Sequence, residues 1–148
     1  LARREINNDG KLVAIGSSTD SVAMAAVIQL NSDGTLDTSF DSDGIILFTP
    51  GSGSSEALDI SLDSQQRPVI IGKGSNGSND DIFISRFTKS GTNDTLFNTT
   101  GSKLFDYGAS ESANAILINT DGSLTIAGRD NLYPTSFFFI QKINLVEP

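Results

Sequence analysis

The amino-acid sequence predicts an all-β fold made of β-propeller blades, each blade being a sheet of four antiparallel strands. The 148-residue chain repeats itself with a period of 56, and each repeat holds four short strand-like segments separated by turn residues. No segment shows a sustained helical spacing of apolar residues together with helix caps. Four strands in a repeat of about 40 to 60 residues are typical of a propeller blade.

The period is clearest in segments that end on a glycine. Three of them end 56 residues apart: "DGKLVAIG" at 9–16, "QQRPVIIG" at 65–72 and "DGSLTIAG" at 121–128. Each combines a turn with a short apolar strand. A second set of strand-like segments carries a recurring long polar side chain: "AAVIQLN" at 25–31 with Gln29, "IFISRFT" at 82–88 with Arg86, and "FFIQKIN" at 138–144 with Lys142.

A long connection repeats as well, since "GTLDTSFDSDGIILFTPG" at 34–51 matches "GTNDTLFNTTGSKLFDYG" at 91–108 with an offset of 57. The identical pairs include Gly34 and Gly91, Asp37 and Asp94, Phe40 and Phe97, Gly44 and Gly101, Leu47 and Leu104, Phe48 and Phe105, and Gly51 and Gly108. One residue is therefore inserted and later removed. We predict one repeat region over 1–148, with repeats at 1–56, 57–112 and a truncated 113–148.

The strand candidates are seen best in the second repeat. In order they are "ALDISLD" from Ala57, "PVIIGKG" from Pro68, "DIFISRFT" from Asp81 and "SKLFDYG" from Ser102. The first alternates apolar and polar residues, as a strand with one solvated face does. The second and third are nearly continuous apolar runs, which predicts burial on both faces.

The whole chain then contains eleven strands, or about 2.75 repeats. A propeller closes with at least about four blades, so this length predicts an incomplete ring. The end blades of such a piece expose edges and faces that invite pairing. We therefore expect further blades of the same protein, or self-association through exposed blade edges.

Composition excludes several functional classes. Ten Lys and Arg against eighteen Asp and Glu give a net charge of −8, which argues against nucleic acid as a partner. The chain has no Cys and no His, so disulfides, imidazole or thiolate metal sites, Ser-His-Asp triads and Cys nucleophiles are excluded. We predict no cofactor.

The ends and the apolar runs bear on location. The longest apolar runs, "VAMAAVI" at 22–28 and "FFFI" at 137–140, are shorter than the roughly 18 to 20 residues of a membrane span. The chain begins with "LARREI", which has neither an initiator Met nor the pattern of a signal peptide. We therefore expect a fragment of a longer protein with no membrane span of its own.

The segments "DGKLVAIG" and "VIQLNSDGTLDTSFDSDG", together with the period of 56, resemble the delta-60 repeat. This family of β-propeller repeats is found mostly in large bacterial exported or surface proteins. The first repeat fits the pattern best, whereas the second replaces the Asp-Gly turn with Gln65 and Gln66 and "LDTSF" with "NDTLF". The resemblance implies a propeller in an extracellular or cell-surface setting and brings no catalytic residue.

The stretch "NSDGTLDTSFDSDG" at 31–44 resembles part of a calcium loop, because carboxylates at alternate positions suit Ca²⁺. Its acids are not kept in the second repeat: Asp33 becomes Ser90, Asp41 becomes Asn98 and Asp43 becomes Thr100. The repeat retains Asp37, Phe40 and two glycines. We therefore interpret the stretch as a turn with a capping Asp, positive-φ glycines and an apolar anchor, and predict no metal ligand in it.

Other acids are candidates for paired-carboxylate glycosidase chemistry. They are Glu56, Asp80, Asp81, Asp106 and Glu111, and their positions look like those of solvated turn residues. Tyr107 and Tyr133 are candidates for stacking on a sugar, although a Tyr beside a turn is usually a strand-end anchor. We predict no catalytic, cofactor-binding or metal-binding residue.

These observations predict a non-catalytic scaffold or binding module of a bacterial exported or cell-surface protein. Its ligand is an unknown protein or glycan, bound by loops such as "SSTDS" from Ser17 and "SNGSND" from Ser75. One alternative is a propeller enzyme of glycosidase or lyase type whose site lies in other blades. A second alternative is a calcium-stabilised adhesin segment.

Overall fold

The computed structural model describes residues 3–19, 21–131 and 137–145. These residues form eleven strands and no helix, as the sequence predicts. In chain order the strands are β1 (Arg4–Ile6), β2 (Leu12–Thr19), β3 (Ala23–Leu30), β4 (Ile45–Phe48), β5 (Ser55–Leu62), β6 (Pro68–Ser75), β7 (Asp80–Arg86), β8 (Ser102–Phe105), β9 (Glu111–Ile118), β10 (Leu124–Asp130) and β11 (Phe137–Ile143).

The strands form three separate antiparallel sheets that follow chain order. The first sheet contains β1 to β4, the second β5 to β8 and the third β9 to β11. Each strand pairs with its neighbour in sequence, so every connection within a sheet is a hairpin or a longer loop between adjacent strands. The second and third sheets begin at Ser55 and Glu111, and the predicted repeat boundaries at 56/57 and 112/113 therefore lie inside β5 and β9.

The repeated glycines have a packing reason in two of the three sheets. A register shift interrupts the pairing of β5 with β6 beside Gly72, and another interrupts β9 with β10 beside Gly128. A Cβ on Gly72 would collide with the carbonyl oxygen of Glu56, and one on Gly128 with that of Ser112. Gly16 has no atom within 4 Å of its Cβ position. The close backbone approach therefore belongs to the bulged strand pairs.

The hydrophobic core lies between the sheets, in two layers. One layer joins the first and second sheets and contains Val13, Ile15, Ala25, Val27, Phe40, Ile46, Ile60, Ile70, Phe83 and Phe87. The other joins the second and third sheets and contains Val69, Ile71, Ile82, Ile84, Phe97, Ala113, Leu124, Ile126 and Leu145. Because alternate residues of β6 and β7 face opposite layers, these strands are buried on both faces, as predicted.

The first strands of the three sheets lie next to one another, with Asp59 of β5 between its neighbours. Its carboxylate accepts a 3.0 Å hydrogen bond from the backbone N–H of Ile116 in β9, and it lies 3.9 Å from Arg3 beside β1. The outer face of the third sheet is exposed: Phe138 and Ile140 are 74% and 68% accessible. The three sheets therefore form an open stack.

Candidate functional site

Asp37 and Asp94 are structural links within the first two sheets. Asp37 Oδ1 accepts hydrogen bonds from the backbone N–H and the hydroxyl of Ser39, at 3.1 and 2.6 Å. Asp37 Oδ2 accepts from Gln29 Nε2 at 2.6 Å and from Lys11 Nζ at 2.7 Å. Hydrogen bonds from the Lys11 ammonium, the Ser39 hydroxyl and the Gln29 amide hold the pKa of the buried Asp37 carboxyl well below its usual value.

Asp94 has a similar arrangement, in which two guanidinium groups replace the amide of Gln29 and the ammonium of Lys11. Its Oδ1 accepts from the backbone N–H of Leu96 at 3.1 Å. Its Oδ2 accepts from Arg86 Nε at 2.6 Å and from Arg67 Nη1 at 2.8 Å. In the first two blades the recurring long polar side chain near the end of the third strand, Gln29 or Arg86, therefore donates a hydrogen bond to the capping Asp. The sequence pattern did not predict this contact.

Backbone conformation accounts for the acids that differ between the two long connections. Asp41 and Asn98 have φ values of 49° and 48°, and the residues after them, Ser42 and Thr99, have 70° and 53°. Asp and Asn are among the few non-glycine residues that tolerate this left-handed region. The exchange of Asp41 for Asn98 preserves a conformation and discards a charge.

Phe40 and Phe97 anchor the two connections, at 1% and 4% exposure. The first connection also touches the second, because the backbone N–H of Asp41 donates a 2.8 Å hydrogen bond to the carbonyl of Ser90. Among the described residues, none of the acids of 31–44 belongs to a group of three carboxylates close enough to share a metal ion. The stretch has the geometry of the turn that the sequence predicts.

A different set of acids converges. Asp81 is the second residue of β7, Asp106 directly follows β8, and Glu111 is the first residue of β9. One carboxylate oxygen from each lies within 4.8 Å of one from each of the other two. We call these three residues the acidic cluster; it lies where the second sheet passes into the third.

Two members of the acidic cluster are buried, at 1% exposure each, so the interpretation of Asp81 and Glu111 as solvated turn residues is wrong. The reason is backbone placement: Asp81 in β7 and Glu111 in β9 lie in strands of adjacent sheets that contact each other. Asp106 is exposed, as expected. Glu56 and Asp80 are partly exposed and lie 3.4 and 3.7 Å from Lys73 Nζ, so they do not join the cluster.

Each buried carboxylate has one satisfied oxygen and one free oxygen. Asp81 Oδ2 accepts from Asn76 Nδ2 at 3.0 Å, and Glu111 Oε1 accepts from the backbone N–H of Ala109 at 2.9 Å. No donor among the described residues completes a hydrogen bond to Asp81 Oδ1 or Glu111 Oε2, although the backbone N–H of Tyr107 is near enough to Glu111 to oppose part of its pKa shift. Burial raises the pKa of both carboxyls; nearby Asp106 and Asp80 add to the effect on Asp81, and Asp130 and Asp81 to that on Glu111.

Residues 8–40 match a protein family described as a domain of unknown function (DUF5122) beta-propeller. The match covers β2, β3 and the start of the long connection, which is part of the unit that the rest of the chain repeats. Together with the three stacked antiparallel sheets, it decides the architecture. The sheets are β-propeller blades. No curated protein matches the chain.

The blade geometry limits what the acidic cluster does chemically. A glycosidase needs two carboxyl groups about 5 to 9.5 Å apart on either side of an accessible sugar. Asp81 and Glu111 are instead buried together at the junction between two blades, with one oxygen of each within 4.8 Å of the other, and do not face each other across an accessible cleft. The same oxygens are instead spaced for a hard cation, which prefers carboxylate ligands.

The predicted binding loops and tyrosines have separate surroundings. The loop from Ser75 lines a polar cleft of about 550 Å³ together with residues of the connection between the second and third blades. The loop from Ser17 is described except for Asp20. Tyr107 donates a 2.7 Å hydrogen bond from its hydroxyl to Gln141 Oε1, and Tyr133 lies outside the described residues.

The described residues include no helix that is long and apolar enough to span a bilayer.

The acidic cluster could have been found in the sequence by asking where the repeat gains an acid. The strand pairings align Asp81 with Met24, Asp106 with Thr49 and Glu111 with Ser55. Each acid thus stands where the preceding blade has an uncharged residue. The convergence of these acids is not apparent when each is considered alone, because they are separated in sequence.

Proposed function

We propose that this chain is a scaffold or binding module, without catalytic activity, of a bacterial β-propeller protein that is exported or lies at the cell surface. Within the propeller families, the resemblance of its repeats to the delta-60 repeat supports this assignment. The observation that carries the proposal is the exposed face of the third blade, which repeats the pattern of faces that are buried between blades.

Two pairs of equivalent residues illustrate this face. Ile82 and Ile84 of the second blade are fully buried against the third blade. Their equivalents in the third blade, Phe138 and Ile140, are large, apolar and exposed. A further blade would cover them in the same way that the third blade covers the second. Burying two such side chains contributes about 1.5 to 3 kcal/mol each, so the stack favours extension.

The polar cleft is the surface best suited to a ligand. Its lining includes the side chains of Asn76, Ser78, Asn79 and Asn131. Amides and hydroxyls can both donate and accept hydrogen bonds, as recognition of a glycan or of a peptide backbone requires. The net charge of −8 disfavours polyanions at this surface.

A binding screen of the full chain against glycan and protein arrays tests the proposal. We expect a ligand whose binding is weakened by Asn79→Ala and unaffected by Asp9→Ala, a change on another exposed surface. Hydrolysis or elimination of an array glycan by the chain would contradict the non-catalytic assignment. Size-exclusion chromatography with light scattering tests the stacking face separately: Ile140→Glu should reduce any concentration-dependent association.

A further inference from the structure

The acidic cluster contains buried carboxylate oxygens that accept no hydrogen bond. Asp81 Oδ1 and Glu111 Oε2 are buried without a donor, and so is Asp130 Oδ1, from the residue that pairs with Glu111 across β9 and β10. A buried carboxylate oxygen without a partner costs free energy, and native proteins usually satisfy it. Two such oxygens within the acidic cluster, with a third on the neighbouring Asp130, indicate that a cation belongs there.

No protein cation neutralises this charge within the described residues. Their ion pairs include none with Asp81, Asp106, Glu111 or Asp130. The basic residues nearest in sequence are engaged elsewhere: Arg86 pairs with Asp94, Lys103 Nζ lies over the Phe105 ring, and Arg129 Nε donates to Asn131. A site of this kind must bind a cation from solution or take up protons.

The preceding junction is an internal control. Between the first and second blades the equivalent positions are Met24, Thr49 and Ser55, and the two blades pack through a full apolar layer. The packing of one blade on the next therefore does not require acids at these positions.

We propose that Asp81, Asp106 and Glu111 form a Ca²⁺ site that clamps the third blade to the second. Ca²⁺ takes oxygen ligands at about 2.3 to 2.6 Å, so oxygens on opposite sides of the ion are about 4.8 Å apart. The observed limit of 4.8 Å among the three oxygens fits one shared ion. The exposed carboxylate of Asp106 leaves one side open, where water completes the six to eight ligands.

The ligands come from two blades, which gives the ion a structural effect. Asp81 belongs to the second blade and Glu111 to the third, while Asp106 starts the segment that connects them. A bound Ca²⁺ would remove the repulsion among the carboxylates and hold the connection in place. This site is separate from the stretch at 31–44, in which the sequence suggests a calcium loop.

Calorimetric titration with CaCl₂ and thermal melts in Ca²⁺ or EDTA test the site on the full chain. We expect one ion per chain with a dissociation constant of about 10⁻⁴ to 10⁻³ M, as in weak extracellular sites. At a tenfold excess over that constant the melting midpoint should rise by about 3 to 5 °C. Asp81→Asn and Glu111→Gln should each weaken binding at least about tenfold.

The variants also have a readout that does not depend on calcium. In EDTA, Asp81→Asn and Glu111→Gln should melt at or above the wild-type temperature, because each removes a buried charge while keeping the side-chain shape. Asp43→Asn, an exposed acid of the stretch at 31–44, is the matched control and should keep wild-type binding. A midpoint that Ca²⁺ does not change, or binding that survives both cluster variants, would overturn the proposal.

Discussion

Arg86 Nε donates a 2.6 Å hydrogen bond to Asp94 Oδ2 inside the second blade, where the two side chains are only 7% and 5% exposed. In the first blade the same two positions hold Gln29 and Asp37, joined by a hydrogen bond of the same length. One blade thus fixes its long connection with a buried ion pair, and the other with a neutral amide plus the half-exposed Lys11. The two blades provide a natural comparison.

Removing the capping Asp should cost more in the second blade. Asp94→Ala leaves the Arg86 guanidinium buried without its counter-ion, for which we expect a loss of about 3 to 5 kcal/mol in the free energy of unfolding. Asp37→Ala leaves an unpaired amide, which costs about 1 to 3 kcal/mol. Chemical denaturation measures both, with Asp9→Ala as a surface control. Equal losses would contradict the assignment of the ion pair as the stronger link.

The Asp37 link should weaken in acid. Its folded-state pKa is depressed, so it contributes stability that is complete above the unfolded-state value of about 3.9 and is lost as the pH falls below it. We expect the stability difference between wild type and Asp37→Asn to be constant from about pH 5 to 7 and to shrink below about pH 4. Denaturation at several pH values checks this; a difference that persists unchanged near pH 2.5 would refute it.

The repeated strand glycines should differ in their tolerance of a methyl group. Gly72→Ala and Gly128→Ala push a Cβ into a backbone carbonyl of the paired strand, which should cost about 1 to 3 kcal/mol or more. Gly16→Ala meets open space, and we expect it to be neutral or stabilising by up to about 1 kcal/mol. Melting curves of the three variants distinguish the cases. A similar loss at Gly16 would show that the glycine is needed for another reason.

Ile84 and Ile140, at equivalent apolar positions of successive blades, should differ in how much they contribute to the free energy of unfolding. Ile84→Ala opens a cavity in the layer between the second and third blades and should cost about 2 to 5 kcal/mol. Ile140→Ala removes an exposed side chain, so a dilute monomer should change by less than about 0.5 kcal/mol. Denaturation at low protein concentration separates the two. A large loss for Ile140→Ala would mean that its face is already covered in solution.

The sequence predicted the strands and the blade order because glycines, β-branched runs and turn residues act locally and recur. Strand starts such as Pro68 and Ser102 agree with the structure. It did not predict the acidic cluster, because the burial of Asp81 and Glu111 depends on how one blade covers the next. It identified Asp37 as a cap from its own turn, yet its partners come from elsewhere in the blade: Lys11 directly precedes β2 and Gln29 lies in β3.

The hydrogen bond from the Asn79 side chain to the Ala109 carbonyl joins the two places where the second blade changes length. The turn between β6 and β7 spans residues 76–79, one more than the 20–22 of the first blade, and the following inter-blade connection spans 106–110, one fewer than 49–54. The gain and the loss touch and compensate each other, so all the strands keep their spacing. The lengths of these two loops can therefore change together while the strands of the sheets stay in register.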